Sequence, residues 1–347
     1  MSNTIFNLNP VLPEGYTLEE AAIHGHFEGV KCLMEKGSRI PGRHIPHDYG
    51  WAIVGAACNG HLEILKYLIE FKDQSFPEEK YKEIPVAKLL QKMGPWCAEM
   101  AIKDAIENGH CEVVKYLLQQ RLAKYSKTLG RATRAENFNM VRGLVEQIAD
   151  LTRIKKGAFD EAAYEAVLRG NFEILKYLVE QGANTNAIYG KGLYSQNENA
   201  LAAACRLNKL EIVKFLVEQG EDIHTQCKQA LCNAVLSGNL DMVKFLLDQG
   251  ADIHAQNDQA LYDAVFSGNL DMVEFLVEQG ANIHAQEERT LICACRLGHL
   301  EIVEYLVAQG ADIHAQNEQA LKEVCRKGSL LLVKFLVKQE TRSILRK

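Results

Sequence analysis

Four histidines recur at one position of the sequence and are the first candidates for chemistry. His224, His254, His284 and His314 follow one another at intervals of 30 residues. Imidazole is a common metal ligand, and two histidines that share a zinc ion need ring nitrogens within about 3–4 Å of each other. Equivalent residues of stacked helical repeats lie about 8–10 Å apart. We therefore interpret these histidines as structural residues of turns, and we expect no metal site and no cofactor.

The ten cysteines are placed where neither disulfides nor zinc knuckles are expected. Cys205, Cys295 and Cys325 each lie three residues before the same inter-helix turn, where other copies of the pattern have Val235 and Val265. A position that accepts valine or cysteine requires a small apolar group, and a free cysteine behaves as one. No pair has the C-x-x-C spacing of a zinc knuckle. We predict reduced thiols in the core.

Catalytic patterns are absent from the sequence. Glu173, Glu211 and Glu301 lie at the start of predicted helices, where a carboxylate favours the helix dipole. The chain has no G-x-S-x-G, H-E-x-x-H or P-loop segment, and Gly190-Lys191-Gly192 lacks P-loop spacing. We predict that the protein is not an enzyme.

Composition excludes several classes of partner. The 347 residues carry a net charge of −6 without a basic stripe, so binding to nucleic acid is disfavoured. Apolar runs are only a few residues long, far below the roughly 20 that cross a bilayer. The N-terminal segment lacks the cationic and apolar regions of a signal peptide. We expect a monomer in the cytoplasm that binds no nucleic acid and no membrane.

An internal repeat of 30 residues must position all of these side chains. Gly220, Gly250, Gly280 and Gly310 are spaced thirty apart, and looser copies run back towards the N-terminus. Each copy predicts two short antiparallel helices, because apolar residues recur every three or four positions and glycine follows. One such pair cannot bury its apolar face, so the copies must stack. The ten copies are marked by the inter-helix residues Gly25, Gly60, Gly109, Asn137, Gly170, Asn208, Gly238, Gly268, Gly298 and Gly328.

Residues 257–281 show the expected anatomy of one repeat. Asn257 is predicted to cap the first helix and Asn269 the second, because asparagine is a preferred N-cap. Gly268 is predicted to take a positive φ in the turn between the helices, and Gly280 to follow the second helix in the left-handed conformation. The repeat therefore reads as helix, tight turn and helix.

Comparison of the repeats within the chain separates core positions from surface positions. Constant columns indicate packing: Leu201, Leu231, Leu261, Leu291 and Leu321 form one, and Ala204, Ala234, Ala264 and Ala294 form another. Variable columns are free to serve binding: one runs Cys232, Tyr262, Ile292 and Lys322, and the other runs Arg206, Leu236, Phe266, Arg296 and Arg326.

The segments GHLEILKYLIE (60–70) and GHLEIVEYLVAQGADIHAQ (298–316) resemble the ankyrin repeat, with its G-H-L-E-I-V and G-A-D-V-N-A motifs. The family's repeats usually have about 33 residues and a T-P-L-H segment; here that segment reads QALY, RTLI or QALK. The resemblance implies an all-α ankyrin-repeat solenoid, an elongated stack with short or absent β-hairpin fingers. The shortened repeats with D-I-H-A-Q are similar to the ankyrin proteins of giant DNA viruses, in which case the cytoplasm is that of the host.

The predicted domain organisation is a single solenoid with caps. We expect an N-terminal cap segment over 1–15, the solenoid over 16–340 and a C-terminal tail over 341–347. The largest interruption, 72–96, contains VAKLLQKM, which we predict as a short extra helix. Insertions in solenoids emerge as loops on one face, so 72–96 is either part of a binding face or tolerated loop variation.

The resemblance implies a protein–protein interaction scaffold that binds its partner through the concave face of first helices and turns. An alternative is a substrate-recruiting adaptor of a larger complex such as a ubiquitin ligase, and a third class is a purely structural spacer. In this family an asparagine near the repeat junction can be hydroxylated by a 2-oxoglutarate-dependent enzyme, and Asn186 in GANTNA is the nearest match.

The candidate binding residues follow from the variable columns. Tyr262 and Phe266 are four apart and share one helix face. The family's two residues before the inter-helix glycine commonly contact partners, and exposed aromatic residues beside arginine are typical of interface hot spots. Tyr262 either contacts a partner or fills the space of the missing T-P-L-H histidine. The predicted partner-binding residues are Leu236, Tyr262, Phe266, Arg296, Leu297 and Arg326.

Overall fold

The fold is all-α in the part of the chain that the computed structural model describes. That part comprises residues 16–37, 45–71, 96–120, 125–149, 155–188, 199–220 and 228–345, and it contains no strand. The predicted helix VAKLLQKM, the predicted cap 1–15, His224 and Cys227 lie outside the described residues.

Twenty helices in the described ranges form ten consecutive pairs, as the repeat pattern predicted. Residues 1–184 form one compact unit with ten of these helices, and residues 185–347 form a second unit with the other ten. The helices of the first unit are α1 (Leu18–Ile23), α2 (Phe27–Gly37), α3 (Ile45–Cys58), α4 (Leu62–Glu70), α5 (Trp96–Glu107), α6 (Cys111–Gln119), α7 (Tyr125–Arg134), α8 (Phe138–Ala149), α9 (Lys155–Arg169) and α10 (Phe172–Glu180). Those of the second are α11 (Ala200–Arg206), α12 (Leu210–Glu218), α13 (Lys228–Leu236), α14 (Leu240–Asp248), α15 (Ala255–Ser267), α16 (Leu270–Glu278), α17 (Ala285–Leu297), α18 (Leu300–Ala308), α19 (Ala315–Lys327) and α20 (Leu330–Leu345).

Within each unit the helices stack in two layers. The first helices of successive pairs contact one another, α11 with α13, then α15, α17 and α19 in turn, and each also packs on its own second helix. In the first unit α1, α3, α5, α7 and α9 form the corresponding row. Helices of about nine residues are marginal alone in water, so this stacking supplies their stability.

The turn inside each pair is specified by a residue with positive φ and a capping side chain. Gly268 has φ +72° between α15 and α16, and the Asn269 side chain accepts the N–H of Met272 at 3.1 Å as an N-cap should. Gly280 follows α16 with φ +100°. These predictions from residues 257–281 are confirmed.

The assignment of Asn137 to the inter-helix glycine position was wrong by one residue. Glu136 takes the positive φ of +54° between α7 and α8, and Asn137 is the N-cap, with its Oδ1 accepting the N–H of Met140 at 3.0 Å. A glutamate at this φ is strained, and the sequence pattern alone favours asparagine there.

The prediction of Asn257 as a helix N-cap was also wrong. Gln256, Asn257 and Asp258 all have positive φ, near +57°, and form a left-handed turn before the regular part of α15. The same left-handed turn occurs at 286–288 and 316–318. An N-cap has extended backbone, which this turn replaces. The linking segments 251–254, 281–284 and 311–314 contain turns and no strand, so the expectation of short or absent β-hairpin fingers is confirmed.

The core consists of the constant columns. Leu201, Leu231, Leu261 and Leu291 are buried, and so are the four alanines of the second column. Cys205 and Cys295 are buried as predicted, whereas Cys325 is exposed, because no further first helix packs on α19 in the described residues. The described cysteines are free thiols. No described helix is both long enough and apolar enough to cross a membrane.

Candidate functional site

A row of exposed side chains runs along the ends of the first helices of the second unit. These side chains occupy one variable column, directly before the inter-helix turn: Arg206, Leu236, Phe266, Arg296 and Arg326, all exposed. Leu236 is 50% exposed and Phe266 is 54% exposed. The core leucine and alanine columns lie on the opposite side of the same helices, so these two apolar side chains are not required for packing.

Tyr262 and Phe266 form an aromatic pair on α15. Their ring centroids lie 6.4 Å apart and the rings are inclined by 21°. The two residues are one helical turn apart, so the same face presents both. Tyr262 is half-buried, and its ring lies beside the exposed Phe266 ring.

Two arginines of α17 hold Tyr262 at opposite parts of its side chain. The Arg289 guanidinium lies 4.2 Å from the centre of the Tyr262 ring, a cation–π contact. Arg296 donates from Nη2 to the Tyr262 hydroxyl oxygen at 3.4 Å and to Cys293 Sγ at 3.8 Å. These two hydrogen bonds and the nearby thiol raise the pKa of Arg296 further, so its positive charge is permanent. We call Leu236, Tyr262, Phe266, Arg289 and Arg296 the Tyr262 patch.

Family models match most of the repeat region. The model described as "Ankyrin repeats (3 copies)" matches residues 129–227 and 203–287, and the model described as "Ankyrin repeat" matches residues 290–318. Together these matches cover more than half of the chain. The chain belongs to the ankyrin repeat family. Proteins of this family are generally binding modules and not enzymes.

Individual relatives match shorter parts. The Notch-regulated ankyrin repeat-containing protein A of Danio rerio is 39% identical over 71 residues, which are 20% of this chain and 61% of that protein. The Homo sapiens Notch-regulated ankyrin repeat-containing protein is likewise 39% identical over 71 residues, 20% of this chain and 60% of that protein. The chain thus spans about three fifths of the length of these curated relatives. A solved structure, the ankyrin repeat domain of Bcl-3, is 26% identical with a TM-score of 0.47, covering 56% of this chain and 92% of that one.

The ankyrin scaffold brings only some of the predicted residues together. Leu297 is half-buried, and its carbonyl accepts a hydrogen bond from Lys327 Nζ. Arg326 pairs with Glu323 at 2.9 Å. Leu297 and Arg326 therefore each contact a charged side chain of α19. The Phe266 ring, by contrast, is exposed and lies beside Tyr262.

The second variable column is not a uniform surface. Cys232 is buried, and burial raises the pKa of its thiol to about 12, with the charge and hydrogen bond of Asp263 adding to the effect. Ile292 is half-buried, and Lys322 is the one residue of this column that is exposed. The inference that this whole column is free for binding was therefore wrong at Cys232. The side chain at this position is buried, so its variation between repeats reflects the size of the space that it fills.

Arg289 is the residue of the patch that sequence comparison missed. The equivalent residues of the neighbouring repeats are Gln229, Gln259 and Gln319. The single change from glutamine to arginine among these four repeats was the available signal. Its meaning depends on Tyr262 in the preceding repeat, and that contact is visible only in the structure.

The remaining chemical candidates take structural positions. The histidines of the junctions each contact a carboxylate four residues later: His254 Nδ1 lies 3.0 Å from Asp258, His314 Nδ1 lies 2.8 Å from Glu318, and His284 contacts Glu288. In the described part of the chain, no group of three or more His, Cys, Asp or Glu side chains is arranged to hold a metal ion. Asn186 is exposed in the first described segment of the second unit. Its hydroxylation stays a prediction.

Proposed function

We propose that this ankyrin repeat protein is a scaffold that binds a protein partner at the Tyr262 patch. The single observation that carries the proposal is the exposure of Leu236 and Phe266 beside two arginines that have no structural ion pair. Large apolar side chains together with tyrosine and arginine are the residues enriched at interface hot spots. Leu297 and Arg326 are proposed at the rim of the same surface.

The patch combines rigidity with exposure. Tyr262 is held by Arg289 and Arg296, and the alanine and leucine columns below it are fully packed. Side chains that are already ordered lose little rotamer entropy when a partner binds. This supports a binding role over that of a spacer, which requires no ordered aromatic surface.

We propose that one ankyrin solenoid extends over 16–340 between the flanking segments 1–15 and 341–347, that 72–96 is an insertion, and that the protein is a cytoplasmic monomer. The free thiols at Cys205, Cys295 and elsewhere fit a reducing compartment, since disulfides form and persist in oxidising ones. If the chain is viral, that compartment is the host cytoplasm.

Affinity capture from native lysate tests the proposal with two matched variants. Phe266→Ala removes the exposed ring, and Leu331→Ala removes an apolar side chain of similar exposure (67%) at the start of α20, outside the patch. The expected result is a partner captured by the wild type and by Leu331→Ala but lost with Phe266→Ala. Equal capture by all three proteins would contradict the site.

The same capture separates the adaptor from the simple scaffold. An adaptor would retain a second set of proteins, such as ubiquitin ligase subunits, in the Phe266→Ala sample. A spacer would show no partner whose capture depends on Phe266.

A further inference from the structure

The two arginines of the Tyr262 patch lack carboxylate partners. In the described residues neither Arg289 nor Arg296 forms an ion pair with a carboxylate, and Arg289 Nη1 donates to the neutral amide oxygen of Gln286 at 2.5 Å. Other arginines of the chain do pair, including Arg142 with Glu146 at 3.1 Å and Arg326 with Glu323 at 2.9 Å. The patch therefore holds two positive charges that remain available to a ligand.

The two guanidinium groups lie beside Tyr262, where they could bind a carboxylate. Arg289 and Arg296 are seven residues apart on one helix face, a separation of about 10 Å along the axis. The Tyr262 hydroxyl oxygen accepts from Arg296, so the hydroxyl hydrogen remains to donate. A carboxylate placed there would accept from a guanidinium and a phenol, and charge-assisted hydrogen bonds are the stronger class.

The acidic side chains of the neighbouring first helices form no ion pair with the arginines of the patch, and Glu323 pairs instead with Arg326. Asp263 accepts a hydrogen bond from Gln259 Nε2 at 2.8 Å and interacts with the Cys232 thiol. Arg289 lowers the pKa of Asp263 only against a larger rise caused by burial, and it lies beyond ion-pair distance. Lys322 is exposed on the next first helix and adds positive charge. The chain as a whole carries −6, so the patch is a local reversal of sign.

The apolar residues of the patch favour a partner that also presents a large apolar side chain. Leu236 and Phe266 lie half-exposed on the two preceding first helices, beside the charged groups of α17. Burial of a large apolar side chain against them contributes about 25 cal/mol per Å² of area removed from water. A nucleic acid fits this arrangement poorly, because its affinity requires many phosphate contacts from a basic stripe.

We infer that the partner presents an acidic protein segment, in which an Asp or Glu side chain adjoins a large apolar side chain. The carboxylate binds between Arg296 and the Tyr262 hydroxyl, and the apolar side chain packs on Leu236 and Phe266. This inference rests on the proposed function and adds the chemistry of the partner to it.

Selection of a phage library of random twelve-residue peptides against the full chain tests the inference. Selected peptides are then synthesised with a fluorescein label and titrated against wild type, Arg289→Gln, Arg296→Gln and Phe266→Ala. Glutamine is tolerated at position 289, because Gln259 and Gln319 occupy the equivalent positions of the neighbouring repeats. Arg142→Gln, an exposed and ion-paired arginine of the first unit, is the matched control.

The inference expects selected peptides enriched in Asp or Glu next to Phe, Trp, Tyr or Leu. Arg296→Gln should weaken their binding about ten-fold or more, Arg142→Gln should not, and added salt should weaken binding to the wild type. Peptides that depend on Phe266 but show neither acidic enrichment nor sensitivity to the arginines would overturn this inference and leave the proposed function standing. Selection without any peptide that depends on Phe266 would contradict both.

Discussion

Asp258 and Asn282 are joined across a repeat junction: Asp258 Oδ1 accepts the backbone N–H of Asn282 at 2.8 Å, 24 residues along the chain. The same carboxylate oxygen lies 3.0 Å from His254 Nδ1, and Asp258 is only 6% exposed. Asp160 and Asn184 repeat the contact in the first unit at 2.6 Å. One buried carboxylate therefore ties the start of a first helix to the next inter-repeat turn.

Asp258→Ala should lower the free energy of unfolding by about 1–3 kcal/mol, because it leaves the Asn282 N–H without its buried acceptor. Glu318→Ala is the matched control, since Glu318 contacts His314 in the same way but its side chain is 44% exposed. Its loss should cost at most about 1 kcal/mol. Urea denaturation measures both variants. A cost at Glu318 equal to that at Asp258 would show that the junction bond to Asn282 contributes nothing.

Glu288→Asp should stabilise the protein. Glu288 occupies the position of Asp258, yet its Oε2 is buried without a hydrogen-bond partner and it does not accept the N–H of Asp312. The shorter aspartate matches the geometry found at Asp258 and Asp160 and can take up that N–H. We expect a gain of about 0.5–1.5 kcal/mol in urea denaturation. The reverse change, Asp258→Glu, should destabilise, and a loss of stability in Glu288→Asp would contradict the argument.

His299 predicts a specific dependence of stability on pH. Burial lowers the pKa of His299, and the charge of Lys327 lowers it further. Its Nε2 is buried without a hydrogen bond, whereas the equivalent His61 and His110 contact backbone carbonyls at 3.0 Å. The unfolded chain, with a histidine pKa of about 6.5, therefore binds the proton more readily. This contribution to stability is complete above about pH 6.5 and is lost as the pH falls through the lower folded-state value.

The variant His299→Asn isolates that contribution. Asparagine caps the equivalent helices at Asn239 and Asn269, so the substitution preserves the turn. Urea midpoints from pH 7.5 to 5 should fall more steeply for the wild type than for His299→Asn. Parallel pH profiles would show that His299 does not titrate with a lowered pKa.

Leu261→Ala should destabilise by about 2–5 kcal/mol through lost burial and a cavity, because Leu261 is fully buried in the constant leucine column. Lys322→Ala, an exposed position within α19, should change stability by no more than about 0.5 kcal/mol. Thermal unfolding followed by circular dichroism compares them. Similar effects at both positions would mean that the column is not the core.

The sequence was sufficient for features that repeat and insufficient for features that depend on a neighbour. Gly268 and Asn269 were predictable because a positive φ favours glycine and an N-cap favours asparagine. The left-handed turn at Gln256, Asn257 and Asp258 was not, because each non-glycine residue there is strained by local preferences. Contacts from the next repeat hold that turn, including Gln286 Nε2 to the carbonyl of Asn257 at 3.1 Å.

The candidate site also combines features that the repeat pattern predicts with features that depend on a neighbouring repeat. The exposure of Phe266 and Leu236 followed from comparison of the repeats, because the leucine and alanine columns already account for the core. The role of Arg289 did not, because it arises only when α17 packs beside α15 and places the guanidinium over Tyr262. Pairwise contacts between repeats are therefore the information that a single repeat pattern lacks.

We propose that Phe266 binds a partner and does not support the fold. The most direct test is the affinity of the captured partner for wild type and Phe266→Ala, measured by calorimetric titration with melting temperatures recorded on the same samples. We expect Phe266→Ala to bind about 30-fold more weakly, equivalent to about 2 kcal/mol, with a nearly unchanged melting temperature. An unchanged affinity, or a large fall in melting temperature, would contradict it.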